Sequence, residues 1–289
     1  MSKGSSCNSS KISALARELE KDLKAGKKPS SSKQNIQTII SSLSDERGYI
    51  RRILTQALGA IGQKAVPDLK KQLLSNSNVF IRRSAAKALK LTGDPSALPE
   101  LLEALLNDED PVVQGSAAAA MAIFGDKAVE HLLKVFTNSE STSTQRGFAS
   151  WGLSFIGSEA TEVLKEAAKS KNSSIRAAAI TALGDQIQDL KNKSAKKILL
   201  KSLNDPSFEV RAEATTLLGD IEDPKWAAPY LRNQLNDESK QVRIKASLAI
   251  MKLKLRNEIG LLKNKLNTEE DIEVIKIFNL AINKLSKMI

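Results

Sequence analysis

The chain has 289 residues, of which 41% are hydrophobic but only 4% are aromatic. Its core is therefore expected to consist of Ala, Leu, Ile and Val, as in closely packed helices, and the few prolines and glycines fall between apolar runs. The 44 Lys and Arg residues outnumber the 33 Asp and Glu residues, and the net charge of +11 favours an anionic partner without naming it. A single cysteine excludes an internal disulfide, and the sequence has no apolar run long enough for a membrane span. We expect a cytoplasmic, all-α protein.

Residues 1–32 form the first predicted segment and are rich in Ser, Lys and Gly. Such a composition buries too little apolar surface to order the backbone. We therefore expect a flexible tail that contains one short amphipathic helix, over residues 12–23. Cys7 lies in this tail without a CxxC partner, so it predicts neither a metal site nor redox chemistry.

Residues 33–287 carry an internal repeat of about 32 residues. One position of the repeat is usually arginine, and its successive copies are Arg51, Arg82, Gln114, Arg146, Arg176, Arg211, Arg243 and Ile275. The position six residues earlier is usually short and polar or acidic, and its copies are Asp45, Asn76, Asp108, Glu140, Ser170, Asp205, Asp237 and Glu269. Short polar side chains satisfy free backbone N–H groups at turns between helices. The pattern predicts helical hairpins, each with the arginine early in its second helix.

This double ladder of arginine and acid resembles the HEAT-repeat proteins, in which the two side chains hydrogen-bond between neighbouring repeats. The resemblance spans residues 33–287 and implies the fold, which is all-α: an α-solenoid of about eight HEAT-like helical hairpin repeats. It implies little about function, because such arrays serve many tasks. The longest spacing, from Arg176 to Arg211, falls on a lysine-rich stretch, so we expect a looser junction near residues 185–197.

A candidate binding groove follows from the helical spacing of the second helices. Positions one, five and eight residues after the ladder arginine lie opposite the apolar stripe and are predicted to face a shared inner wall. This wall is cationic in the first repeats and lined by small residues in the middle, with an aromatic pair nearby. The predicted ligand-binding residues are Arg52, Arg83, Lys87, Gly115, Ala119, Gly147, Phe148 and Trp151. Burial of the small residues against a neighbouring helix would explain them equally well.

Catalytic signatures are missing from the sequence. His131 is the one histidine, so a triad or a multi-histidine metal site cannot be assembled. No glycine-rich phosphate loop follows a strand pattern. We predict no metal ligand, and no catalytic residue can be named.

Four segments carry a narrower resemblance, at residues 49–52, 57–69, 110–118 and 149–157. They resemble the E/F-type phycobilin lyases, particularly those that serve phycoerythrin. The resemblance implies a phycobilin, a linear tetrapyrrole, as substrate rather than as a permanently bound cofactor. It also implies attachment of the bilin by a thioether bond to a cysteine of a phycobiliprotein subunit, with isomerisation in some members and a chaperone role in others. A second HEAT-repeat lyase subunit is a further implied partner.

Three functions remain open on the sequence. In a bilin lyase or chaperone, Arg52, Arg83 and Lys87 would bind the propionates, and Phe148 and Trp151 would stack on the pigment. A plain protein-interaction scaffold would need only the repeats. Nucleic-acid binding would use the net charge and the cations of the first repeats, but the lack of Lys and Arg in the middle of the groove argues against it.

Overall fold

The computed structural model describes residues 3–156, 161–184 and 193–287, and all regular secondary structure in these ranges is helical. The chain divides into two compact units, Met1–Gly152 and Leu153–Ile289. Because the helices follow one another with short connections, neighbouring helices pair as hairpins. The expected all-α solenoid of about eight helical hairpins is confirmed.

The first unit contains two layers of helices. Its helices are α1 (Lys3–Lys24), α2 (Lys33–Ser42), α3 (Gly48–Ile61), α4 (Val66–Ser75), α5 (Val79–Thr92), α6 (Leu98–Asn107), α7 (Pro111–Ala122), α8 (Asp126–Thr137) and α9 (Ser143–Ile156), which runs past the boundary. The second helices pack on one another, α3 on α5 and α5 on α7, and the first helices α4, α6 and α8 do the same. One layer therefore presents the second helices side by side.

The second unit repeats this arrangement. Its helices are α10 (Thr161–Ala167), α11 (Ser173–Ala182), α12 (Lys193–Ser202), α13 (Phe208–Leu218), α14 (Pro224–Gln234), α15 (Lys240–Lys252), α16 (Ile259–Leu266) and α17 (Ile272–Ser286). Helix α11 packs on α13, α13 on α15 and α15 on α17. The second helices again form one layer.

The core consists of the apolar stripe that the helical period predicts. In α3 this stripe is Ile50, Leu54 and Leu58, and all three side chains are buried. The equivalent residues of α5 and α7 are buried as well: Ile81, Ala85, Leu89, Val113, Ala117 and Met121. Each large side chain buried in this way contributes about 1.5–3 kcal/mol. Packing of this stripe fixes the opposite side of each second helix toward the candidate groove.

The ladder of arginine and acid is present and joins neighbouring repeats. Arg82 donates to Asp108, Arg176 to Asp205, Arg211 to Asp237 and Arg243 to Glu269, with two hydrogen bonds in each pair. Each of these arginines also donates to the backbone carbonyl six residues earlier in its own repeat. Each pair therefore ties two turns together.

The N-terminal segment differs from the flexible tail expected for residues 1–32. Helix α1 covers Lys3–Lys24 and is ten residues longer than the helix expected over residues 12–23, and it packs against α3. Ala16 and Leu19 are buried, and Arg47 donates to the hydroxyl of Ser13 over 2.9 Å. Composition missed this packing because a few apolar residues on one face suffice when a neighbouring helix is there to cover them.

The looser junction expected near residues 185–197 falls mainly on residues 185–192, which lie outside the described residues. The remainder of that stretch belongs to the start of α12.

Candidate functional site

A pocket of about 510 Å³ opens in the first unit among α3, α5 and the start of α7. Five cationic side chains line it: Arg51, Arg52, Arg83, Lys87 and Lys90. Its apolar lining includes Leu91 and Val112, and Thr55 and Gln56 add polar groups. The volume lies within the range of about 300–1,000 Å³ that small-molecule sites occupy. The pocket is suited to an organic anion.

Helical spacing places these cations together. Arg83 and Lys87 are four residues apart on α5, and Lys90 follows three residues later, so all three lie on one face. Like charges at this spacing destabilise a helix by about 0.2–0.5 kcal/mol per pair. The cluster therefore costs the fold a little stability, which favours a role in binding over a role in folding.

One acidic side chain, Asp110, borders the cluster and pairs with Arg83. The Arg83 Nε donates to Asp110 Oδ1 over 2.9 Å, and the side-chain hydrogen bond from Arg83 holds the pKa of Asp110 below its ordinary value of 3.8. Asp110 also accepts from the backbone N–H of Val113 and so caps α7. Within the described ranges, no ion pair involves Arg52, Lys87 or Lys90. Among the described residues, Arg83 is therefore the one pocket cation that has an acidic partner.

Arg51 lies in the same pocket although its position in the repeat is that of a ladder arginine. Its Nη1 donates to the backbone carbonyl of Asp45 over 2.6 Å, and its guanidinium carbon lies 4.4 Å from the centre of the Phe80 ring. A cation over an aromatic face is held by the ring quadrupole. Arg51 is thus positioned at the pocket wall without a carboxylate partner in the part of the chain that is described.

The predicted site residues divide into two groups in the structure. Arg52, Arg83 and Lys87 line the pocket together. The other five are not among its lining residues and lie on α7 and α9: Gly115, Ala119, Gly147, Phe148 and Trp151. The structure therefore brings the predicted cations together in one pocket. The predicted small and aromatic residues lie outside that pocket, on helices α7 and α9.

The two glycines of the second group differ in their surroundings: one is packed against a neighbouring helix, and the other borders open space. A Cβ on Gly115 would lie 3.1 Å from the Phe148 ring, so this glycine is needed for close helix packing. A Cβ on Gly147 would meet nothing within 4 Å, so this glycine borders open space. Ala119 is half-buried, whereas 52% of Trp151 is exposed. Trp151 is therefore a surface aromatic rather than a core residue.

The second unit also has a lysine-rich pocket, of about 350 Å³, between α10 and α12. Here Lys165 pairs with Glu162 over 2.7 Å and Lys169 pairs with Glu166. Two of the four lysines that line this pocket are therefore paired with acids, whereas in the first-unit pocket one cation of five has an acidic partner among the described residues. The pocket of the second unit is thus less suited to an anionic ligand.

Two classes of site have no support in the structure. No cluster of three or more His, Cys, Asp or Glu residues that could hold a metal ion occurs in residues 3–156, 161–184 and 193–287. Across the same residues, none of the helices combines the length and the apolar character that a membrane crossing requires.

Comparison with known proteins identifies the family. The HEAT repeat family matches residues 36–122, 129–204 and 197–282. The bilin biosynthesis protein MpeU of Synechococcus sp. (strain WH8020) is 40% identical over 273 residues, which cover 94% of this chain and 92% of that protein. The chain belongs to the HEAT-repeat family of MpeU.

Of two similar solved structures, Kap121p supports the all-α solenoid fold. Kap121p aligns with a TM-score of 0.51 and 14% identity, over 87% of this chain and 37% of that one. The complex of CpcE and CpcF of phycocyanin lyase from Nostoc sp. PCC7120 aligns with a TM-score of 0.32 and 23% identity, over 64% of this chain and 99% of that one.

Sequence reasoning missed Arg51, Thr55, Leu91 and Val112 as pocket residues of this HEAT-repeat protein. The repeat pattern predicts for Arg51 the same structural role as for the other ladder arginines, a hydrogen bond to the next repeat. The sequence feature that points to Arg51 is Asn76. In four other repeats the equivalent residue is an acid that pairs with the preceding ladder arginine, and asparagine cannot form that ion pair.

Proposed function

We propose that this protein binds a phycobilin in the pocket among α3, α5 and α7 and positions it for thioether attachment to a cysteine of a phycobiliprotein, as a lyase or as a chaperone. The observation that carries the proposal is the 40% identity, over almost the whole chain, to a bilin biosynthesis protein. The pocket supplies independent support, because its lining suits the chemistry of a bilin.

A bilin is a long conjugated strip with two propionates. Carboxylates bind best to guanidinium and ammonium groups through charge-assisted hydrogen bonds. The pocket cations without an acidic partner among the described residues are Arg51, Arg52, Lys87 and Lys90. Leu91 and Val112 offer the pigment apolar contact. On this proposal the propionates lie against α3 and α5.

The aromatic residues of α9 extend the proposed site. Phe148 packs its ring on Gly115 of α7, and Trp151 exposes about half of its surface one turn further along. Offset stacking of a conjugated ligand on such rings contributes about 0.5–1.5 kcal/mol beyond the buried area. We assign Phe148 and Trp151 to contact with the rings of the bilin.

The attachment reaction needs little chemistry from this chain. The thiol of the acceptor adds across the exocyclic C=C bond of the bilin: a C–S bond forms, and the thiol proton ends on the pigment. No atom leaves and no oxidant is needed. The nucleophile belongs to the phycobiliprotein, so the contribution of this chain is to hold the exocyclic carbon near that sulfur and to exclude water from the pigment.

Three finer features belong to the same proposal. The acceptor is a subunit of phycoerythrin, on the resemblance of residues 49–52, 57–69, 110–118 and 149–157 to lyases of that type. The protein acts in the cytoplasm, a reducing compartment that suits a chain whose single cysteine forms no internal disulfide. A second HEAT-repeat subunit takes part in the transfer.

Absorption titration tests binding. Purified protein is mixed with phycoerythrobilin, and a shifted and sharpened pigment spectrum is expected. The double variant Arg52→Gln with Lys87→Gln should bind at least about tenfold more weakly, because each charged hydrogen bond contributes about 1.5–3 kcal/mol. The matched control is Lys127→Gln with Lys134→Gln, which removes the same charge from exposed positions of α8. An unchanged pigment spectrum with the wild-type protein contradicts the proposal.

Co-expression separates a lyase from a chaperone. The protein is expressed with pigment enzymes and phycoerythrin subunits, and covalent adducts are detected by zinc fluorescence in a denaturing gel. A lyase raises adduct formation at one acceptor cysteine. A chaperone binds the pigment without raising that yield, and a plain scaffold binds the subunit equally well with and without pigment.

A further inference from the structure

The acid ladder is interrupted next to the pocket, at Asn76. In other repeats the acid at this position does two things at once: Asp108 accepts from the backbone N–H of Asp110 over 2.9 Å and from the guanidinium of Arg82. Asp205 and Asp237 accept in the same two ways. The dual role depends on a carboxylate, which offers two oxygens and a negative charge.

Asn76 keeps only the first of these roles. Its Oδ1 accepts from the backbone N–H of Asn78 over 2.8 Å, and its Nδ2 donates to Gln72 Oε1 over 2.6 Å. The remaining group of the amide is thus a donor, and the amide has no charge. Arg51, which the repeat pattern would pair with this position, is left without a carboxylate.

Arg51 is nevertheless held in a fixed place. Its Nη1 keeps the bond to the carbonyl of Asp45, as every intact ladder arginine keeps the equivalent bond, and its guanidinium lies over Phe80. Two features therefore define where the guanidinium lies, and the pocket surrounds it. A donor group fixed in advance loses little conformational entropy when it binds an anion.

A second interrupted repeat shows what is special about Arg51. In the sequence, the member of the acid series that follows Arg146 is Ser170, which is not an acid. The guanidinium of Arg146 donates to the carbonyls of Ser141 and Asn138 over 3.4 and 3.5 Å. Arg146 is not among the residues that line the pocket of the first unit. Loss of the acid alone therefore does not make a site: Arg51 combines that loss with an aromatic support and a pocket.

We propose that Arg51 binds a carboxylate of the ligand, which takes the place that an aspartate side chain holds in the intact repeats. The class of ligand is an organic carboxylate. The choice of a bilin propionate rests on the proposed function, and Phe80 acts as a positioning residue that sets the plane of the guanidinium.

The test measures the coupling between Arg51 and the carboxylate in the full chain. Phycoerythrobilin and its propionate dimethyl ester are titrated into wild-type protein and into Arg51→Gln. The wild-type protein should prefer the free acid by about tenfold or more. Arg51→Gln should lose part of that preference, since Arg52, Lys87 and Lys90 remain in the pocket, and Arg51→Lys should recover some of what is lost.

A second variant keeps the test independent of folding. Asn76→Asp restores the acid of the intact repeats, so Arg51 should pair with it as Arg82 pairs with Asp108. The variant should melt at the same temperature as the wild-type protein or higher, yet bind the free acid about tenfold more weakly. Asn107→Asp, an exposed position of the same unit, adds the same charge and should leave binding unchanged.

The outcomes separate the two proposals. If wild-type protein binds neither the free acid nor the ester, both the proposed function and the role of Arg51 are overturned. If it binds the pigment but Arg51→Gln keeps the full preference for the free acid, or Asn76→Asp binds as tightly as wild-type protein, the role of Arg51 alone is overturned.

Discussion

The guanidinium of Arg82 donates to both carboxylate oxygens of Asp108 in the next repeat, over 2.7 and 3.0 Å. Both side chains are almost fully buried, with 8% and 6% of their surface exposed. Arg82 also donates to the carbonyl of Asn76 in its own repeat. The side chain of Arg82 thereby donates hydrogen bonds to the turns of two neighbouring hairpins. Its loss would leave the Asp108 carboxylate and the Asn76 carbonyl without this donor.

Removal of one partner of this pair should destabilise the first unit strongly. Arg82→Ala leaves the Asp108 carboxylate buried and unpaired, which costs about 3–5 kcal/mol. Urea unfolding followed by circular dichroism measures the loss. Lys24→Ala is the control, because its ion pair with Glu20 is exposed and little change is expected. Equal stability of Arg82→Ala and the control would mean that the pair does not join the repeats.

Asp110→Asn should strengthen pigment binding. The substitution removes the charge that neutralises Arg83 but keeps a side-chain oxygen for the N-cap of α7, because Asn caps helices about as well as Asp. The freed Arg83 should tighten phycoerythrobilin binding severalfold, and the gain should shrink at high salt. Absorption titration at low and high salt provides the measurement. Weaker binding would place Asp110 itself in contact with the ligand.

Two glycines near the aromatic residues should respond differently to the same substitution. Gly115→Val pushes a branched side chain into the Phe148 ring, 3.1 Å away, and should cost about 1–3 kcal/mol in urea unfolding. Gly147→Val enters open space and should leave stability unchanged. Because that space borders the proposed ligand, Gly147→Val should instead weaken binding of phycoerythrobilin. The reverse assignment of the two effects would contradict the roles given to these glycines.

Low pH should weaken the hydrogen bonds between arginine and carboxylate that join the repeats of the second unit. Burial alone would raise the pKa of Asp237, but hydrogen bonds from Arg211 and from the backbone N–H of Ser239 hold it below its ordinary value of 3.8. A carboxyl whose pKa is lower in the folded state stabilises the fold fully above its unfolded value, and this contribution is lost as the pH falls through the folded pKa. The pKa of Asp205 is lowered in the same way, by Arg176 against the effect of burial.

The measurement is the free energy of unfolding from about pH 6 down to about pH 3. Wild-type protein should lose stability below about pH 4, where these acids begin to bind protons in the unfolded chain. Asp237→Asn is less stable at neutral pH and should lose less over the same range, because its group no longer titrates. Parallel curves for the two proteins would show that Asp237 does not contribute to the acid response.

The repeat and the core could be predicted from sequence because both depend on periodic side chains. Ile50, Leu54 and Leu58 occur at helical spacing, and burial of that stripe is sufficient to place Arg52 on the opposite face. The arginine and acid ladder could also be predicted, since Arg211 and Asp237 belong to two series with one common period.

The remaining features depend on contacts between residues that the period does not relate. Nothing in the spacing of Gly115 and Phe148 shows that one packs on the other. Arg51 lies over Phe80, and the acid series has Asn76 where Arg51 would find its partner, one of two non-acidic members of that series together with Ser170. The period alone predicts the same role for Arg51 as for Arg82, because it carries no information about which partner each arginine finds.

All residues that line the pocket come from one continuous stretch of the chain, residues 48–112. Substitutions confined to this interval can therefore change what the pocket binds while the helices of Leu153–Ile289 keep their sequence.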